Sequence, residues 1–210
     1  SAGWESRVQK DRFIRDKFKT EFHTRFTWHA ARYFEVIGDV DVLEYRVTHT
    51  DLKQIVNFKS SDETLQWIFD AFIRTQLSNT HGCIPSDCPH REKNGWTADA
   101  ALSTEHALLN LAPENNYYEW MLHIRAAMAE DGRLPGIVPT GGWGFAWGNG
   151  PAWDNILITL PYFVYRYRGD KKIVEESLTS LFRYVNYLTT RVDDRHLIAI
   201  GDNILYLFRY

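Results

Sequence analysis

The sequence has 210 residues, with 24 lysine and arginine side chains against 27 aspartate and glutamate, for a formal net charge of -3. A balance this close to neutral, without a basic stripe, argues against a nucleic-acid partner. No run of about 18 apolar residues is present, so no membrane-spanning helix is predicted, and the two cysteines are too few for a disulfide framework.

The first predicted elements are β-strands within residues 22–56. Residues 31–37 are rich in β-forming side chains and precede a Gly-Asp turn, and apolar and polar side chains then alternate from Leu43 to Val47. Two or three strands do not form a stable sheet on their own. This part of the chain is therefore predicted to be the end of a β-domain.

The periodicity becomes helical at Ser60, which forms a capping-box spacing with Glu63. Apolar stripes then predict a first helix (Leu65, Ile68, Phe69, Phe72, Gln76) and a fifth helix (Val174, Leu178, Leu181, Val185, Leu188). The helices between them are predicted over 97–111, from about 115 to 132, and from about 154 to 167 before a glycine at 169. Long and short connections alternate, which is typical of a ring of paired helices with the site on one rim.

A loop at residues 85–99 separates the first two predicted helices and concentrates chemically active side chains. It contains three carboxylates, one guanidinium and one indole (Asp87, Glu92, Asp99, Arg91 and Trp96). Carboxylates bind hydroxyls and transfer protons, and an indole stacks on the apolar face of a pyranose, so this set favours a sugar-cleaving site. The alternative is a solvated surface turn in which Asp99 only stabilises the start of the next helix.

A second loop, at residues 139–154, carries three tryptophans among five glycines. Trp143, Trp147 and Trp153 together favour a stacking platform for a ligand, with Asp154 as a partner for a hydroxyl group. Any single one of these indoles could equally fill part of the core.

Metal and cofactor sites are weakly indicated. His81, Cys83, Cys88 and His90 are close in sequence, but zinc sites more often use two well-separated pairs of ligands, so no metal is predicted. A bridge between the two cysteines is a further alternative. Phosphate-loop, dinucleotide-binding and Gly-x-Ser-x-Gly patterns do not occur, and no cofactor is predicted.

The segment Asp87-Cys-Pro-His-Arg-Glu-Lys-Asn-Gly-Trp-Thr-Ala-Asp99 resembles the signature of bacterial α-L-rhamnosidases, glycoside hydrolase family 78. That signature is close to Asp-Cys-Pro-x-Arg-Glu-(Lys/Arg)-x-Gly-Trp-x-Gly-Asp. Two flanking segments agree with it: residues 25–36 resemble the strand before the catalytic domain, and residues 150–154 resemble an aromatic motif of the sugar pocket. The resemblance extends over about residues 21–201.

The resemblance implies a mainly α fold, the first part of an (α/α)6 barrel of the six-hairpin glycosidase type, preceded by the last strands of a β-sandwich domain. The expected boundary divides the chain into residues 1–57 and 58–210. Five or six helices are readable where such a barrel has twelve, so the chain is expected to be a fragment. Residues 1–7 lack the apolar stretch of a secretory signal, and neither the compartment nor the oligomeric state is predicted.

The resemblance also implies an inverting hydrolase that releases terminal α-L-rhamnose from plant glycosides or polysaccharides. Glu92 would be the general acid, and a general base is expected beyond residue 210. The implied sugar-binding residues are Asp87, Arg91, Trp96, Asp99, Trp153 and Asp202, the last in a Gly-Asp-Asn sequence where the family tends to have Gly-Asp-Trp. Another (α/α)6-barrel glycosidase or lyase and a non-catalytic carbohydrate-binding protein remain as alternatives.

Overall fold

The computed structural model describes residues 9–14, 16–18, 21–39, 44–145 and 150–198. Within these ranges the protein is mainly helical, as predicted, with five helices and one two-stranded antiparallel sheet. The elements in chain order are α1 (Glu63–Ser78), β1 (Thr80–His81), β2 (Ile84–Pro85), α2 (Thr97–Asn110), α3 (Glu114–Ala126), α4 (Ile156–Arg168) and α5 (Lys172–Thr189). None of these helices is both long and apolar enough to cross a membrane.

The strands predicted within residues 22–56 do not form in the described part of that segment. Its one ladder contact is an isolated antiparallel bridge between Gln54 and Leu111. Residues 21–39 and 44–51 are largely exposed to solvent, and a strand persists only when a neighbour satisfies its backbone hydrogen bonds. Leu43 lies outside the described residues. The β-sandwich assignment of residues 1–57 stays a prediction.

Helix α1 begins at a different cap from the predicted one. The Asp62 carboxylate accepts hydrogen bonds from the backbone N–H groups of Thr64 (2.8 Å) and Leu65 (3.1 Å). The Ser60 hydroxyl instead accepts a hydrogen bond from the Asp62 N–H, at 3.0 Å. The predicted capping box is therefore wrong, because Asp62 is the side chain that reaches the free N–H groups of the first helical turn.

Helix α4 forms the centre of the core and packs against α2, α3 and α5. It continues through Pro161 and ends before Gly169, which adopts a left-handed φ of 68°. The fully buried side chains around it come from four helices and include Leu108, Trp120, Met121, Ile124, Leu157, Leu160 and Tyr184. Burial of one large apolar side chain stabilises a fold by about 1.5–3 kcal/mol, so this cluster fixes how the helices meet.

The other helix boundaries agree with the sequence in part. Helix α2 ends within one residue of its predicted end. Helix α3 ends at Ala126, several residues earlier than predicted, and Gly132 belongs to the turn that follows. Of the five apolar residues predicted for one face of this helix, Tyr117, Trp120, Met121 and Ile124 are buried. Met128, the fifth, lies beyond the end of α3 and is partly buried.

The apolar stripes predicted for α1 and α5 are buried only in part. Val174, Leu181 and Leu188 of α5 pack partly buried against the core, as Phe69 of α1 does, whereas Leu178 and Val185 are 43% and 48% exposed. Helix α5 buries Ile173, Ser177 and Tyr184, whereas 67% of Phe182 is exposed. On α1, Ile73 and Gln76 are buried while several apolar side chains are open to solvent (Leu65, Trp67, Ile68 and Phe72). The main described neighbours of α1 are β1 and α2, and those of α5 are α3 and α4. We refer to the exposed side chains of α1 and α5 as the outer apolar faces.

Candidate active site

The 85–99 loop is closed at its base by Asp87 and Asn94. The Asp87 N–H donates to the Asn94 carbonyl at 3.0 Å, and the Asn94 N–H donates back to the Asp87 carboxylate at 3.2 Å. The other carboxylate oxygen of Asp87 accepts a hydrogen bond from the Cys88 thiol at 3.3 Å. Asp87 thus holds the loop together and also presents its carboxylate inside the loop.

The far end of the loop is fastened to residues 136–138. The Val138 N–H donates to the Gly95 carbonyl and the Thr97 N–H donates to the Gly136 carbonyl, both at 2.9 Å. The Thr97 hydroxyl also donates to Gly136, at 3.1 Å. Since α2 begins at Thr97, these bonds place Asp99, in the first turn of that helix, beside the loop that precedes it.

Six side chains from three segments line one open pocket of about 220 Å³. They are Asp87, Arg91, Glu92, Trp96, Asp99 and Trp153. Drug-sized ligands generally need about 300–1,000 Å³, so this pocket has the scale of a single sugar unit. The structure thus brings together six of the seven site residues that the family resemblance implies; the seventh, Asp202, lies outside the described residues.

Both carboxylate oxygens of Glu92 have partners in the pocket. One lies 3.1 Å from an Arg91 guanidinium nitrogen, and the other accepts a hydrogen bond from the Trp96 indole N–H at 3.0 Å. The Glu92 backbone N–H is 3.4 Å from the Cys88 sulfur. The Glu92 side chain is therefore held in one orientation by a charged and a neutral donor.

The two aspartates of the pocket hold their protons more tightly than free aspartates. Burial raises the pKa of Asp87, and the charge of Glu92 adds to this, although hydrogen bonds from Cys88 and Asn94 act in the opposite direction. Burial also raises the pKa of Asp99, with further contributions from Asp87 and Glu92. The three acids are thus close enough to influence one another, and Arg91 is the cation that lines the pocket with them.

Asp154 does not have the position expected of a hydroxyl partner. It is fully buried, and one of its carboxylate oxygens accepts a hydrogen bond from the Gly150 N–H at 2.6 Å. The Gly150 carbonyl in turn accepts hydrogen bonds from the N–H groups of Trp153 and Asp154, both at 2.8 Å. Asp154 therefore shapes the turn that carries Trp153 into the pocket, and the predicted contact with a ligand is wrong.

Neither of the other two tryptophans predicted to stack on a ligand is found beside Trp153 among the described residues. Trp143 is not among the side chains that line the pocket, and Trp147 lies outside the described residues. Among the described residues, the indoles that line this pocket are Trp96 and Trp153.

A sequence model of the bacterial alpha-L-rhamnosidase six-hairpin glycosidase domain matches residues 53–205. The chain belongs to this family. A curated alpha-L-rhamnosidase of Formosa agariphila is 29% identical over 177 residues, which are 78% of this chain and 18% of that protein. The chain therefore spans a small part of the curated rhamnosidases that it matches.

Solved rhamnosidase structures share the arrangement of the helices. The Streptomyces avermitilis alpha-L-rhamnosidase complexed with L-rhamnose aligns with a TM-score of 0.67 and 26% identity, over 70% of this chain and 14% of that one. The alpha-L-rhamnosidase from Dictyoglumus thermophilum aligns with a TM-score of 0.67 and 34% identity, over 73% of this chain and 17% of that one. The described residues from 53 onwards are thus a mainly helical part of a rhamnosidase six-hairpin domain.

The metal ligands considered from the sequence are separated in this rhamnosidase domain. His81 bonds the Thr48 carbonyl at 2.9 Å, and Cys83 lies 3.7 Å from a ring nitrogen of His123. Cys83 and Cys88 are free thiols, so the bridge between them does not form. Across the described ranges, no group of three or more histidine, cysteine, aspartate or glutamate side chains is arranged to hold a metal ion.

Gly95 belongs to the rhamnosidase motif, and its close packing against residues 136–138 is not evident from the sequence. A Cβ atom at this position would lie 2.2 Å from the Val138 carbonyl oxygen and 2.8 Å from the Ile84 side chain. The same Val138 oxygen accepts a hydrogen bond from the Trp120 indole N–H at 2.9 Å. This hydrogen bond holds the Val138 carbonyl in place. The absence of a side chain at residue 95 lets the loop approach residues 136–138.

We expect Gly95→Ala to displace the loop, to lower the free energy of unfolding by about 1–3 kcal/mol, and to reduce ligand affinity. Gly82→Asn is the matched control, because residue 82 has open space for a Cβ and a φ of 62° that asparagine tolerates. Thermal unfolding and sugar binding are measured for both variants. Equal behaviour of the two variants would show that the close approach at Gly95 is unimportant.

Proposed function

We propose that the protein is an inverting α-L-rhamnosidase that removes terminal α-L-rhamnose from plant glycosides or polysaccharides. The observation that supports this most strongly is the convergence of three carboxylates, one guanidinium and two indoles on a pocket with the scale of one sugar. Membership of the rhamnosidase family and the L-rhamnose bound to a solved relative favour rhamnose as that sugar.

Glu92 acts as the general acid in this proposal. In the free pocket the Glu92 carboxyl group lies beside the Arg91 guanidinium and accepts a hydrogen bond from the Trp96 indole N–H. The form that reacts is the protonated carboxyl group. It then donates this proton to the glycosidic oxygen as the bond to the leaving group breaks.

The remaining pocket residues hold the sugar. Asp87 and Asp99 accept hydrogen bonds from its hydroxyls, Arg91 donates to them, and the rings of Trp96 and Trp153 pack on the apolar faces of the pyranose. Asp202 is proposed as a further hydroxyl partner. Because the pocket residues come from three segments, the sugar itself joins the acidic loop, the start of α2 and the turn at 150–154.

An inverting mechanism needs a second carboxylate to activate water on the opposite face of the sugar. The two carboxyl groups of inverting glycosidases are about 6.5–9.5 Å apart, which leaves room for that water. We propose that this base is supplied by a segment of the protein beyond residue 210.

The test is hydrolysis of a panel of aryl glycosides by the full-length protein, followed by NMR. We expect turnover of the aryl α-L-rhamnoside and first release of β-L-rhamnose, since single displacement inverts the anomeric centre. First release of α-L-rhamnose would contradict inversion. Preference for a uronic-acid substrate would indicate another glycosidase or a lyase, and binding without product would indicate a carbohydrate-binding protein.

A further inference from the structure

Trp28 lies outside the helical region and contacts the acidic loop at two places. Its ring stacks on the imidazole of His81 with ring centroids 3.6 Å apart and planes within 2° of parallel. The ammonium group of Lys93 lies 4.1 Å from the centroid of the same ring and donates a hydrogen bond to the Trp28 carbonyl at 2.5 Å. Trp28 thus connects strand β1, before the loop, with Lys93, inside the loop.

Lys93 has an unusual backbone conformation and follows Glu92 directly. Its φ is 56°, in the left-handed region that residues with a Cβ rarely adopt. Its N–H donates to the Cys88 carbonyl at 3.2 Å. A residue keeps such a conformation only when its surroundings stabilise it, and Lys93 is held both by this backbone hydrogen bond and by the contacts of its side chain with Trp28.

Trp28 is itself held by its neighbours. The side-chain amide of Gln9 exchanges two hydrogen bonds with the backbone of Ala30, at 2.7 and 3.0 Å. A ring nitrogen of His29 lies 2.8 Å from the Asp11 carboxylate. On the other side of the stack, His81 bonds the Thr48 carbonyl at 2.9 Å. The indole is therefore a fixed surface for Lys93.

We propose that Trp28 is a positioning residue for Glu92, acting through Lys93. Trp28 holds the Lys93 side chain, which keeps the backbone of residue 93 left-handed and so sets the direction in which residue 92 projects. The carboxylate of Glu92 is then delivered to the Arg91 guanidinium and the Trp96 indole. This proposal rests on the proposed function, because it assigns Trp28 to the same proton-transfer step.

Proton donation depends on geometry most when the leaving group is a poor one. A nitrophenolate leaves with little help, whereas an aliphatic alcohol or sugar needs a full proton from the acid. Misplacement of a catalytic group by about 1 Å can lower the rate by about a hundredfold. A displaced Glu92 should therefore slow hydrolysis of an alkyl rhamnoside much more than hydrolysis of a nitrophenyl rhamnoside.

The experiment compares Trp28→Leu, Trp28→Tyr and Lys93→Met in the full-length protein. We expect Trp28→Leu and Lys93→Met to lower kcat on an alkyl α-L-rhamnoside by roughly ten- to a hundredfold, with little change in KM and a much smaller loss on the nitrophenyl substrate. Trp28→Tyr restores an aromatic ring and should recover most of the activity. Phe26→Leu, an aromatic-to-leucine change two residues from Trp28 at a side chain that is 96% exposed, is the matched control and should behave as wild type.

A double-mutant cycle separates this proposal from the proposed function. In a Glu92→Gln background no acid remains to be positioned, so Trp28→Leu should cause no further loss. If Glu92→Gln alone leaves turnover intact, the proposed function fails. If Glu92→Gln removes turnover but Trp28→Leu has no effect, slows both substrates equally or adds its full loss in the double mutant, Trp28 does not position the acid.

Discussion

Replacement of Glu92 by glutamine is expected to lower turnover of an alkyl α-L-rhamnoside by about 10²- to 10⁴-fold, the usual contribution of a general acid. Glutamine keeps the volume of the side chain and can still accept the hydrogen bond from the Trp96 indole. It has no proton to give to the leaving oxygen. Because the fold is unchanged, KM should change much less than kcat.

The control for this change is Glu130→Gln, the same substitution at an exposed residue after α3, which should leave kcat unchanged. A series of aryl rhamnosides with leaving groups of increasing pKa provides the sharper measurement. For Glu92→Gln the loss should grow along this series, because better leaving groups need less protonation. Near-normal turnover across the whole series would rule out Glu92 as the acid.

Asp154→Asn is expected to make the protein more stable than wild type, and increasingly so as the pH rises. Burial raises the pKa of Asp154 to about 8, although its hydrogen bond from the Gly150 N–H acts in the opposite direction. Its second carboxylate oxygen has no hydrogen-bond partner in the described part of the chain. The folded protein therefore keeps a neutral carboxyl group at a pH where the unfolded chain has already released the proton.

The direction of the effect follows from this difference in proton binding. Below about pH 4 both states hold the proton, and the stability is at its full value. Between about pH 4 and pH 8 the folded state binds more protons than the unfolded state, so the free energy of unfolding falls as the pH rises. Between pH 5 and pH 9 the loss amounts to on the order of 4 kcal/mol for this one group.

Tyr184, whose pKa is affected by the charge of Asp154, does not change this conclusion. Burial, with the charge of Asp154, raises the pKa of Tyr184, so its hydroxyl stays protonated over this range. Unfolding free energies of wild type, Asp154→Asn and Asp154→Ala are measured at pH 5, 7 and 9. The advantage of asparagine should increase with pH, whereas alanine leaves the Gly150 N–H without its acceptor and should be less stable than asparagine throughout. A pH-independent difference between wild type and Asp154→Asn would contradict the assignment.

The helical part of the fold could be predicted because its signals are local. Helix α2 begins at the predicted residue, and α4 ends before Gly169, where the left-handed φ of 68° suits glycine. The face of α5 could not be predicted in the same way. An apolar stripe shows which side can be buried, but the positions of α3 and α4 decide that Ser177 and Tyr184 are inside.

The pocket was predictable to a large extent because five of its six side chains lie within a 13-residue segment of the rhamnosidase motif. The predicted role of Asp154 as a partner for a ligand hydroxyl was wrong, because a sequence does not show whether a loop carboxylate faces a ligand or the core. The contacts of Trp28 were missed for a different reason. Lys93 is 65 residues away along the chain, and no short-range pattern predicts such a pairing.

The outer apolar faces have a practical consequence for laboratory work. Trp67 is 65% exposed on α1 and Phe182 is 67% exposed on α5, and large exposed apolar patches promote self-association. A polypeptide limited to these helices would therefore tend to form concentration-dependent aggregates, and its ligand affinity would be obscured by them.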